Sequence, residues 1–87
     1  MVMPEPEIFA RFAALIEEYS GTPASDVTTE ADLVDDLEID SLAMVEIVVA
    51  AQISFDIEIP DEAVRGLRTV QDVVNYVLRA QRADVSA

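Results

Sequence analysis

The stretch Asp40-Ser41-Leu42-Ala43-Met44-Val45-Glu46-Ile47-Val48-Val49-Ala50-Ala51-Gln52-Ile53-Ser54-Phe55 decides the fold. Two secondary structures compete for it. Val45, Ile47, Val48, Val49 and Ile53 are β-branched and favour a strand. The run is long for a strand, and Ala43, Met44, Glu46, Ala50 and Ala51 favour a helix. Length arbitrates, and the spacing predicts a helix over Leu42 to Phe55. In that helix Met44, Ile47, Val48, Ala51 and Phe55 form one apolar stripe that can face a core. Leu42, Val45, Val49 and Ile53 form a second stripe, roughly 100° or more away at ~100° per residue. A central helix buried nearly all round explains both stripes. So does a docking surface made by the second, rimmed by Asp40, Glu46, Asp56 and Glu58.

Working outward, Ile8, Phe9, Phe12, Leu15, Ile16 and Tyr19 recur at helical spacing. Glu5 and Glu7 suit the positive end of that first helix, and Ser20-Gly21 with Pro23 stops it. Residues 21–40 hold no long periodic element. Val27, Leu33, Leu37 and Ile39 are placed to pin this loop to a core, and Thr29 with Asp32 resembles a capping pair. The loop is therefore expected to be ordered. Phe55 to Ile59 alternates but is cut by Pro60, which makes it an extended link. Asp61-Glu62-Ala63-Val64 starts a short helical turn ended by Gly66. Thr69 with Asp72 opens the last helix, where Val70, Val73, Val74, Val77 and Leu78 share a face. The expected fold is all-α: a small four-helix bundle with three long helices, one short one and a long ordered first loop. It forms a single domain over residues 1–87, with a core of about 5–82 and a tail, 83–87, expected to fray.

Eighty-seven residues cannot hold separate substrate and cofactor lobes. Hydrophobic residues make up 52% of the chain, enough to bury a core. Five basic residues, all Arg, face 18 acidic ones, for a net charge of -13. Such a surface repels phosphate backbones and anionic lipid, so neither nucleic acid nor membrane is expected as a partner. Basic partners are expected instead, with attraction that weakens in salt. The chain has no His and no Cys, which removes Ser-His and Cys-His catalysis and zinc sites built on thiolate or imidazole. Acids near the N-terminus and the shortness of the longest apolar run, Ile47 to Ala51, point to a soluble, cytoplasmic protein.

Ser41 stands at the start of the decisive helix. A Ser or Asp there is ordinarily an N-cap. As a catalytic nucleophile it fails, because no His or Lys is present to activate it. It can instead accept a group added by another enzyme, and a helix N-terminus tolerates a phosphate. A calcium loop beginning at Asp36 also fails. Glu38 and Asp40 fit, but Ser41 replaces the required Gly and Ile47 the required Glu. No metal site is expected.

The string from Asp32 through Asp40-Ser41-Leu42-Ala43-Met44-Val45-Glu46-Ile47 resembles an acyl carrier protein. So do Ile59-Pro60-Asp61 and Thr69-Val70-Gln71-Asp72 that follow it. The likeness covers nearly the whole chain, most closely residues 32–77. It implies a carrier four-helix bundle with Ser41 joined through a phosphodiester to 4′-phosphopantetheine. A phosphopantetheinyl transferase would install that arm from coenzyme A. The arm's thiol would hold growing acyl chains as thioesters, and the protein itself would catalyse nothing. It also implies recognition through the second helix, which carries over Asp40, Leu42, Val45, Glu46 and Val49 as contacts, with Asp56 and Asp61 further along. The implied partners are the transferase, an acyl transferase, a ketosynthase and other synthase enzymes with basic docking patches, met by a monomer.

The chain departs from the family pattern in two places. Glu38 stands where Gly is usual, and if that position needs a positive φ, Glu strains it. Gln52, Ile53 and Ser54 stand where fatty-acid carriers often have acids. Fatty-acid and polyketide pathways both stay open, as do an aminoacyl or peptidyl carrier and an unmodified acidic interaction module. An opening between the second and last helices, sheltering a short acyl chain, is a further expectation.

Overall fold

A computed structural model describes residues 3–86. Four α-helices follow one another: α1 (Glu5–Ser20), α2 (Ser41–Phe55), α3 (Asp61–Val64) and α4 (Val70–Ser86), with a 3-10 turn at Ala24–Asp26. The expected order of three long helices and one short one is what forms, and no strand is present among the described residues. The backbone of α4 runs on to Ser86, into the stretch expected to fray, while Ala87 lies outside the described residues.

α1 starts behind Pro4, an extended N-cap, with Glu5 and Glu7 in its first turn. It ends at Gly21, whose φ of 82° lets its N–H reach the Glu17 carbonyl. Its buried face is Ile8, Phe12, Ala13 and Ile16. Tyr19 belongs to the predicted apolar stripe but is exposed, one residue before the helix ends. α1 packs against both α2 and α4. α4 contributes Val70, Val73, Val74 and Val77 to the core, all buried. Thr69 and Asp72 form the predicted capping box: the Asp72 N–H donates to Thr69 Oγ1 at 3.2 Å, and the Thr69 N–H to Asp72 Oδ2 at 3.1 Å.

Residues 21–40 are an ordered part of the core. Val27, Leu33, Leu37 and Ile39 are all buried, as their spacing predicts. The loop is also tied to the start of α4 through the backbone. The Leu33 N–H donates to the Arg68 carbonyl at 2.9 Å, the Val70 N–H to Ala31 at 3.1 Å and the Gln71 N–H to Thr29 at 2.9 Å. The cap inside the loop differs from the expected Thr29–Asp32 pair. Asp32 is the cap: its Oδ1 accepts the N–H groups of Val34 (3.0 Å) and Asp35 (2.9 Å), and Asp36 Oδ2 accepts the Asp32 N–H at 2.7 Å. Thr29 is occupied instead in the backbone join to α4.

These caps make the join sensitive to acid. The N–H groups of Asp35 and Val34, with the Arg68 guanidinium, hold the Asp32 carboxyl below the ordinary aspartate range. The N–H groups of Arg68 and Thr69 do the same for Asp72. A carboxylate depressed in the folded state stabilises above its unfolded pKa, and that contribution is lost as pH falls through the folded value. The 30s loop is thus expected to loosen as pH drops below about 4. The protection factors of the Leu33, Val70 and Gln71 amides, which compare exchange with that of the unstructured chain at the same pH, should fall over that range. Asp72→Asn, which keeps an acceptor but does not titrate, should flatten part of the change.

Glu38 has a φ of 54°, so the position does demand the left-handed region. A side chain there costs roughly 1–2 kcal/mol, partly offset by the larger unfolded-state entropy of Gly. Glu38→Gly is therefore expected to raise unfolding stability by about 0.5–1 kcal/mol in urea titration.

Candidate functional site

The N-terminus of α2 separates two duties that sequence alone leaves merged. Asp40, with φ -78° and ψ 174°, is the N-cap, and its Oδ1 accepts the Ala43 N–H at 2.8 Å. Ser41 is therefore the first helical residue and not the cap. Its side chain is exposed, and among the described residues no group hydrogen-bonds its hydroxyl. The backbone around it is firmly held. Ile39 before it is buried and donates its N–H to the Leu33 carbonyl at 3.1 Å, and Ala43 after it is also buried. The result is a free hydroxyl on a rigid post, at a helix end whose first N–H groups lack intrahelical partners.

Along α2 the two apolar stripes part. Ala43, Ile47, Ala51 and Phe55 are buried, with Met44 and Val48 half-buried beside them. Leu42 (71% exposed), Val45 (60%), Val49 (48%) and Ile53 (78%) form a strip open to solvent. The explanation by all-round burial is thus excluded. Asp40 and Glu46 are exposed at the Ser41 end of this strip. Asp56 is the C-cap of α2, with φ 55° and its N–H on the Gln52 carbonyl. It lies at the far end of a 15-residue helix, ~22 Å from Ser41 at about 1.5 Å per residue. The structure does not bring Asp56 to the Ser41 end. Asp61, the first residue of α3, is brought to the side of the strip.

Residues 10–77 match the family model described as a phosphopantetheine attachment site. The acyl carrier protein of Thermobifida fusca is 54% identical over 77 residues, 88% of this chain and 98% of that one. The acyl carrier protein of Acidothermus cellulolyticus is 46% identical over 80 residues, 92% of this chain and 95% of that one. The meromycolate extension acyl carrier protein of Mycobacterium leprae is 45% identical over 87 residues, all of this chain and 76% of that one.

This chain belongs to the acyl carrier protein family.

Its role is that of an acyl carrier, its cofactor is covalently held 4′-phosphopantetheine, and it works with synthase enzymes and a phosphopantetheinyl transferase. An exposed, uncommitted hydroxyl at a helix N-terminus fits such a group, since the phosphate meets free N–H groups and the positive end of the dipole. Among the described residues no helix is long and apolar enough to cross a membrane, and no cluster of acids is arranged to hold a metal.

Beside the carrier's exposed strip lies a groove of ≈ 160 Å³ between α2 and α3, lined by Met44, Val45, Val48, Val49, Gln52, Ile59, Asp61 and Val64. Behind it is a cavity of only ≈ 10 Å³, reaching Phe12, Leu33, Ile47 and Val73. Met44, Val48 and Ile59 line both and form the partition between them. The open groove lies between α2 and α3, whereas α2 and α4 meet at the small cavity, to which α4 contributes Val73. Sequence periodicity missed Gln52, Ile59 and Val64 as groove residues. Gln52 holds this wall through its Oε1, which accepts the Ile59 N–H at 2.8 Å. That contact spans seven residues and a helix end, so no helical pattern could show it.

Proposed function

We propose that Ser41 is the attachment point of the phosphopantetheine arm. The whole chain acts as one monomeric carrier domain in the cytoplasm, serving fatty-acid or related long-chain acyl synthesis. The observation that carries the reading is the division of labour at the start of α2: Asp40 caps the helix, so the Ser41 hydroxyl is free to be esterified. In the transfer, Ser41 Oγ bonds to the phosphorus that leads to the pantetheine. The pyrophosphate link of coenzyme A breaks, and the nucleotide leaves. The transferase takes the hydroxyl proton, because this chain has no His or Cys and its basic residues are all Arg. The arm supplies a thiol that holds the acyl chain as a thioester.

The chain's own residues do three things. They present the hydroxyl on a fixed post, offer a strip for weak and reversible docking, and line a groove beside it. Tethering supplies effective concentration, so the docking surface can stay small. Asp40, Leu42, Val45, Glu46 and Val49 form that surface near the arm, joined by Asp61 at the groove edge, and the acids steer basic patches on an acyl transferase or ketosynthase. Asp56 serves a partner only if that partner spans all of α2. The groove's apolar walls give a short acyl chain a shelter from water. No catalysis is assigned to the chain. The meromycolate extension carriers among its relatives favour acyl cargo over aminoacyl cargo. Incubation with coenzyme A and a phosphopantetheinyl transferase should add one phosphopantetheine to the intact mass, on the tryptic peptide containing Ser41. An unmodified protein, under conditions that modify another acyl carrier, would refute the reading.

A further inference from the structure

The net charge of -13 is not spread evenly along α2. Asp40 and Glu46 lie in its first turns, and residues 47–55 carry no ionisable side chain. Over that neutral half the exposed strip continues and peaks at Ile53, which is 78% exposed and not among the residues lining the groove. Its flanks are Gln52, whose amide oxygen is committed to the Ile59 N–H, and Ser54, which is half-buried. Within residues 47–55 a cationic partner finds no charge to pair with, and the next acid is the exposed C-cap Asp56 just past the end of the helix. Ile53 gives an apolar partner something to bury. The strip is continuous from Leu42 through Val45 and Val49 to Ile53, so a partner seated at the Ser41 end reaches it along one helix face.

Resting on the carrier reading above, we infer that the docking face is divided, and that the carrier's own acyl-transferring enzyme meets it with a matching split surface. Cationic groups lie against Asp40 and Glu46, and an apolar pocket receives Ile53. The first half sets the encounter rate and is screened by salt. The second half holds the complex and is not. Burying one aliphatic side chain in a pocket at the edge of such an interface changes affinity by about tenfold.

The test uses the holo protein and the acyl transferase from the same host, with loading followed by intact mass across ionic strength. Ile53→Glu should lower kcat/KM by about tenfold or more through KM, and the loss should persist at 0.5 M salt. Ile53→Ala should lose about threefold or more, also independent of salt. Glu46→Gln should lose rate at low salt only. Ala14→Glu, placing the same charge on the exposed face of α1, should change nothing. Unchanged loading of Ile53→Glu would overturn the inference by showing that the partner does not reach residue 53. Faster loading would overturn it by showing a cationic surface there. Both outcomes leave the carrier reading standing, because arm addition is read separately on the apo protein, and its failure there would fell that reading instead.

Discussion

Ser41→Ala is expected to abolish phosphopantetheine addition completely while leaving unfolding stability within about 0.5 kcal/mol of wild type. The two halves of this result have separate causes. Addition fails because the esterified oxygen is gone. Stability holds because Asp40, not Ser41, caps α2, with its Oδ1 on the Ala43 N–H at 2.8 Å. Were Ser41 the cap, its loss would cost about 1 kcal/mol. Asp40→Ala should show that cost while keeping the hydroxyl in place. Intact mass after incubation with coenzyme A and a transferase reads the first half, and urea titration the second. Ser20, Ser25 and Ser54 do not offer an equivalent handle. Ser20 donates its hydroxyl to the Ile16 carbonyl at 2.7 Å, and Ser54 is half-buried late in α2. Ser25 is exposed, but it lies in the 3-10 turn rather than at the start of a long helix. A mass gain that survived Ser41→Ala would place the arm elsewhere and remove the basis of the site.

The helix and the exposed Ser41 at its start were legible because both are local. Helix length arbitrates against β-branching in α2, and the Asp-Ser-Leu start falls where an N-terminus must be. The four residues of the second stripe were legible as surplus apolar surface, and the structure leaves each of them exposed. The cap was not assignable, because Asp40 and Ser41 are both good caps and only the backbone angle at Asp40 separates them. The groove between α2 and α3 was not legible because its outer wall is made by Ile59 and Val64 in a link and a four-residue helix, which have no periodicity to read. Glu38 was readable only as a condition, since composition does not reveal φ. Asp56 was grouped with the other acids by charge alone, although it sits at the opposite end of α2.

The loop before Ser41 supplies the harshest test of what holds the site. Leu33→Ala is expected to cost about 2–5 kcal/mol. A domain of this size has roughly 4–13 kcal/mol in all, at about 0.05–0.15 per residue. The thermal midpoint should fall on the order of 10–30 °C. Leu33 lies in a loop rather than a helix, yet it is 1% exposed and lines the same cavity as Phe12, Met44, Ile47 and Val73 of the three long helices. Its truncation would enlarge the ≈ 10 Å³ cavity already present there. Its backbone joins both ends of the site, with the N–H on the Arg68 carbonyl and the carbonyl accepting the Ile39 N–H at 3.1 Å. Ile39 precedes Asp40 and Ser41, so loosening at Leu33 reaches the post that presents the hydroxyl. Transferase kcat/KM should fall in Leu33→Ala although no atom of the docking strip has changed. Val34→Ala, one residue on and 60% exposed, should stay within about 0.5 kcal/mol of wild type and load normally. A loss below about 1 kcal/mol at Leu33 would mean that residues 21–40 drape over the bundle without holding it. The rigid post would then have to be anchored by α2 alone.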